Sequence, residues 1–84
     1  MELSDLRREI DRIDSEICLL FEKRMAVSEN IAIAKKENNL PAENRGREEE
    51  ILQRVADGEF AEYKRELFEK LFELSKKYQN EILR

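Results

Sequence analysis

Four polar side chains of this 84-residue chain stand on or beside helical faces that otherwise carry apolar residues: Arg24, Lys35, Glu48 and Gln79. A charge placed there must meet a counter-charge or reach water, because an unpaired buried ion is costly. Arg24 and Lys35 are three helical turns apart, so they share a face to within ~20° and lie ~16 Å apart along the axis. Two cations with such a gap can grip opposite sides of a small dianion once other helices close the cavity. Plainer roles are open to the same residues. Arg24 can be a register device or the partner of a neighbouring Glu. Lys35 can meet the helix dipole in a last turn and snorkel to water. Glu48 can be an N-terminal dipole partner, and Ser75 and Gln79 can be the edge of a solvated face.

What the sequence lacks narrows the chemistry. It contains no His, the commonest general base and the commonest metal ligand. No Cys or carboxylate spacing reads as a metal site, and the expectation is no metal and no cofactor. The single cysteine, Cys18, lies beside Ile17 and one turn from Asp14 and Phe21, and is expected to be a buried structural thiol. Charged residues make up 43% of the chain with a net charge of −4, the two signs interleaved. That balance disfavours nucleic acid and anionic membrane, which need a basic patch. No signal peptide or membrane span is recognisable, so a cytoplasmic chain is expected.

The elements that hold these residues are helical throughout. Leu3, Leu6, Ile10, Ile13, Ile17, Leu20, Val27, Ile31 and Ala34 recur at intervals of three and four, the heptad seam of one long helix from about Leu3 to Lys36. Arg24 stands where the rhythm requires an apolar residue. Ser4 is the expected N-cap, Asp5 suits the first turn, and Asn38-Asn39-Leu40-Pro41 is the expected stop. A second helix is expected from an Asn44 cap to Asp57-Gly58, with Ile51, Leu52 and Val55 on its apolar face and Glu48 one turn before them. A third runs from about Phe60 to near the C-terminus. Its stripe of Phe60, Tyr63, Leu67, Leu71, Leu74, Tyr78 and Ile82 is wide enough to pack on the long helix. A neighbouring line of Phe68, Phe72, Ser75 and Gln79 begins aromatic and ends polar, as a buried face does where it opens onto a pocket.

Residues 1–84 read as a single domain, marginal if left as a lone chain. The first helix would be on the order of 50 Å long, far beyond a compact globule of this size, with a radius of gyration of ~12 Å. A partner copy is expected to cover the overshoot. Arg7 lies ~25 Å along that helix from Arg24 and cannot reach the same site in the same chain. In an antiparallel two-fold dimer it would come beside the far half of the other chain's helix.

The run Leu6-Arg7-Arg8-Glu9-Ile10-Asp11-Arg12-Ile13-Asp14, followed by Arg24, Lys35, Pro41, Arg47-Glu48, Ser75 and Gln79, resembles the all-helical class of chorismate mutase over nearly the whole chain. The resemblance implies an all-α, intertwined homodimer of three-helix chains. Its reaction would be the intramolecular Claisen rearrangement of chorismate to prephenate, a step of aromatic amino-acid biosynthesis that uses no cofactor. It also implies that Arg7 is donated across the dimer, and that Arg24, Arg47 and Ser75 help hold the two substrate carboxylates. Lys35 would contact a carboxylate and the ether oxygen, Gln79 would be the other ether-oxygen donor, and Glu48 would accept from the ring hydroxyl. Asn44 stands where the family pattern often has Asp, near that hydroxyl. Two other readings are an isochorismate-pyruvate lyase of the same fold and a helical dimerisation module without chemistry.

Overall fold

The computed structural model describes residues 2–83. It contains three helices: α1 (Leu3–Glu37), α2 (Arg45–Val55) and α3 (Ala61–Leu83). α3 packs against both α1 and α2. Because α1 continues well past this layer, the chain measures 54 × 24 × 14 Å, with a radius of gyration of 15.9 Å.

The helix ends follow from local chemistry, with one correction. The cap of α1 is Glu2, in extended conformation and without a side-chain capping bond. Its carbonyl accepts from the Asp5 and Leu6 amides, so Ser4 already lies inside the first turn and does not act as the expected cap. At the other end Asn39 is left-handed (φ 56°), the Leu40 amide returns to the Lys35 carbonyl and the Asn39 amide to that of Lys36. These are the paired bonds of a Schellman stop. Asn44 caps α2 as expected, its side chain accepting from the Arg47 amide at 3.1 Å. α2 ends at Val55, two residues ahead of Asp57-Gly58, where Gly58 supplies a left-handed turn (φ 66°). Phe60 is also left-handed (φ 63°) and precedes α3 rather than opening it.

The buried residues are few: Ala32, Leu52 and Phe72, together with polar Ser28, Ser75 and Gln79. α3 turns its Phe72-Ser75-Gln79 line inward. Phe60, Tyr63 and Leu67, expected on the packed stripe, are exposed. Small residues decide this: Ser28 and Ala32 let the two helix backbones approach closely, which the bulkier Val27 and Ile31 would prevent. The apolar seam of α1 is therefore uncovered within the chain. Leu3, Leu6, Ile10, Ile13, Ile17 and Leu20 are 39–63% exposed. Cys18, on the same projecting half, is exposed rather than buried. Its thiol donates to Glu22 at 3.4 Å, and that bond and the nearby charge push its pKa up. No helix among the described residues is long and apolar enough to cross a membrane.

Candidate active site

The three helices enclose a cavity of about 370 Å³, within the range of small-molecule sites. From α1 come Arg24 and Lys35, which the helical repeat puts on one wall with Ser28 between them. The start of α2 brings Asn44, Arg47 and Glu48, positioned by the same capping turn that begins the helix. Across from them α3 contributes Phe68, Phe72, Ser75 and Gln79. The wall is thus cationic on one side and aromatic on another. Phe68 and Phe72 meet with ring centroids 6.3 Å apart.

Arg24 is half-buried, with its guanidinium carbon 5.7 Å from the Phe72 ring centroid, an arrangement in which the ring face attracts the cation. Burial lowers its pKa, yet a guanidinium stays charged in proteins. Among the described residues no carboxylate pairs with it. Lys35 donates from Nζ to the Ala42 carbonyl at 2.6 Å, which holds the ammonium at the cavity edge and leaves two of its three N–H donors. Arg47 is more exposed and pairs with Glu50 at 3.2 Å. Glu48 lies 3.2 Å from Lys76 Nζ, which is also 3.7 Å from Glu43. The Glu43 carboxyl is held below the usual range by its hydrogen bond from Arg45, then by the charges of Arg45 and Lys76.

Beneath the cations runs a buried polar chain. Ser28 Oγ and Ser75 Oγ are 2.7 Å apart, and Gln79 Nε2 donates to Ser75 Oγ at 3.0 Å. Gln79 Oε1 is buried without a hydrogen-bond partner among the described residues.

Of the residues singled out in the sequence, both α1 cations, the Asn44-Arg47-Glu48 group, and Ser75 with Gln79 share this one cavity. Arg7 does not. It is exposed on the projecting half of α1. The sequence reading missed Ser28, Arg54 and Lys76, which also line the cavity. Ser28 was discoverable, since it lies four residues after Arg24 and seven before Lys35 on the same face. Arg54 likewise follows Arg47 by two turns. Lys76 carries no sequence signal that sets it apart from other lysines, and only the packing of α2 on α3 brings it to Glu48.

The chorismate mutase type II family matches residues 6–80. The chain belongs to this family. A bifunctional chorismate mutase/prephenate dehydratase of Aquifex aeolicus (strain VF5) is 43% identical over 54 residues, which is 64% of this chain and 15% of that protein. The chain therefore corresponds to a small part of that longer relative. Among solved structures, a conserved hypothetical protein from Pyrococcus furiosus superposes with a TM-score of 0.80 at 48% identity. That likeness covers 92% of this chain and 93% of the other. The type II family thus extends over all three helices and every wall of the cavity.

Proposed function

We propose that the chain rearranges chorismate to prephenate, working as a homodimer. The observation that carries the reading is the unneutralised Arg24, which shares one cavity with Lys35 and Arg47. Within a cavity whose other wall is aromatic, such cations suit a compact dianion with an apolar ring.

The reaction is pericyclic: a carbon–oxygen bond breaks and a carbon–carbon bond forms within one molecule, with no obligatory proton transfer or nucleophile. The protein's task is then twofold. It must hold a flexible substrate in the compact, chair-like conformation that brings the bonding carbons together, which the guanidiniums of Arg24 and Arg47 suit because their forks match carboxylates. It must also stabilise negative charge growing on the ether oxygen. Lys35, a concentrated charge already tethered by Ala42, fills that role together with an N–H of Gln79. Glu48 accepts from the ring hydroxyl, with Asn44 nearby, and Ser75 supports a carboxylate.

The homodimer accounts for what a single chain leaves open. The chain exposes 6931 Å², whereas a compact protein of its mass exposes ~5,300 Å². The excess is of the size that a stable interface buries, and it sits on the apolar seam of the α1 overshoot. Antiparallel pairing of two α1 helices covers that seam and carries Arg7 of each protomer toward the partner's cavity, completing its ring of cations.

The test is the loss of chorismate's ultraviolet absorbance on adding purified protein, with Arg24→Ala as control and the product identified as prephenate. Turnover by the wild type and none by the variant is expected. A folded wild-type dimer that leaves chorismate intact overturns the proposal. Isochorismate is the substrate to try next, and inertness toward both would leave assembly as the role of these charges.

A further inference from the structure

Among the described residues that line the cavity, Glu48 is the one carboxylate; Arg24, Lys35, Arg47, Arg54 and Lys76 are the cations. An ionised carboxylate repels a dianion held in the same cavity, and does so more strongly where protein displaces water. It also accepts from a hydroxyl about twice as strongly as a neutral group does. Glu48 can serve the substrate only if its charge is cancelled while its acceptor oxygens stay in use.

Lys76 meets both conditions. Its Nζ lies 3.2 Å from Glu48 Oε2, the two side chains being 30% and 23% exposed. A carboxylate has two oxygens and about four lone-pair sites, so one ammonium on Oε2 leaves capacity for a hydroxyl to donate. Three of the other cations are engaged elsewhere: Lys35 on the Ala42 carbonyl, Arg47 on Glu50, and Arg24 over the Phe72 ring. Among the described ion pairs, Glu48 occurs only with Lys76. The neighbouring Glu43 is placed differently. Its Oε1 is 3.7 Å from the same Nζ but 3.0 Å from Arg45 Nε. Deleting the lysine leaves Glu43 its arginine and Glu48 no paired cation. Because Lys76 stands on α3 and Glu48 in the first turn of α2, the pair also fixes the carboxylate across two helices.

We propose that Lys76 is a positioning residue, which holds the Glu48 carboxylate toward the ring hydroxyl and cancels its charge against the incoming dianion. The assignment rests on the mutase reading. The substrate carries two negative charges before and during the rearrangement, so relief of that repulsion serves ground state and transition state alike and acts on KM rather than kcat. A purely structural ion pair predicts no such split.

The test measures kcat and KM for chorismate at about pH 8 and low ionic strength, where carboxylates are ionised and screening is weak. Lys76→Met keeps the aliphatic stem and deletes the charge. It should raise KM about tenfold, the effect of one uncancelled charge a few ångströms from a dianion in partly solvated surroundings, with kcat within about twofold of wild type. Lys76→Arg restores a cation and should keep KM within about threefold of wild type. Glu48→Gln should lower KM by at least about threefold in the Lys76→Met background but not in the wild type, because only the unpaired carboxylate repels substrate and an amide oxygen still accepts a hydrogen bond. A lysine that gripped a substrate carboxylate directly would give Glu48→Gln the same effect in both backgrounds. Melting temperatures of all variants should lie within about 5 °C of wild type, since a partly exposed ion pair adds little stability. Wild-type KM in Lys76→Met, a loss confined to kcat, failure of that variant to fold, an arginine variant as impaired as the methionine one, or equal effects of Glu48→Gln in both backgrounds overturns the assignment and leaves the mutase reading intact. A folded wild type inert toward chorismate overturns the mutase reading itself and this assignment with it.

Discussion

Replacing Lys35 by Ala separates stabilisation of the transition state from simple binding. The side chain is half-buried and spends one N–H on the Ala42 carbonyl at 2.6 Å, so its ammonium is in place before substrate arrives. Removing one donor aimed at developing charge costs ~3–4 kcal/mol of transition-state stabilisation, which is about 10²- to 10³-fold in kcat. The Ala42 bond sets the accompanying structural loss. It is charge-assisted but partly solvated, so ~1.5 kcal/mol is an upper expectation, or roughly 6–12 °C in melting temperature for a domain of this size. Lys35→Met serves as comparator, keeping the aliphatic stem while deleting the charge. The assay is steady-state loss of chorismate absorbance at saturating substrate. Thermal melts are run at one fixed protomer concentration, since a dimer's melting temperature depends on it. Both variants should fold and both should be slow at saturation. If Lys35→Ala kept kcat within about threefold of wild type and only KM rose, its ammonium would contribute uniform binding, and the ether-oxygen role would be refuted.

Three other outcomes follow from the site. Gln79→Glu should shift activity toward acid pH, because a carboxyl group donates to the ether oxygen only when protonated and the rate falls as pH rises through its pKa; a flat pH–kcat profile would count against that role. Arg24→Leu removes a partly desolvated cation that no carboxylate among the described residues neutralises, so the dimer should melt at or above the wild-type temperature while turnover disappears; a large drop in melting temperature would mean that Arg24 is chiefly structural. Mixing refolded Arg7→Ala and Arg24→Ala protomers should restore about a quarter of wild-type activity, because half the dimers are mixed and each of those has one intact site of two. No recovery would place Arg7 outside the partner's cavity.

Much of the architecture was legible because it depends on neighbours along the chain. The three- and four-residue rhythm marked α1, Asn44 marked its own cap, and Asn38-Asn39 marked a stop, each a matter of bonds made within a turn or two. Periodicity likewise placed Arg24 with Lys35 and Ser75 with Gln79 on shared faces. The cap falls at Glu2 although Ser4 is the better capping residue in isolation, because starting two residues earlier adds two helical bonds.

The sequence by itself determined an all-helical chain, a long first helix with a cation set into its seam, and the residue types that suit a dianion. Tertiary structure decided which faces meet. Burial within one chain went to Ser28 and Ala32 because small side chains admit close helix approach, while the stronger apolar seam, with Cys18 beside it, stayed outside. The same packing brought Lys76 to Glu48 and aligned Ser28 with Ser75 and Gln79. Such contacts join residues up to 47 positions apart, and no local pattern encodes them, because they depend on how three helices are placed against one another.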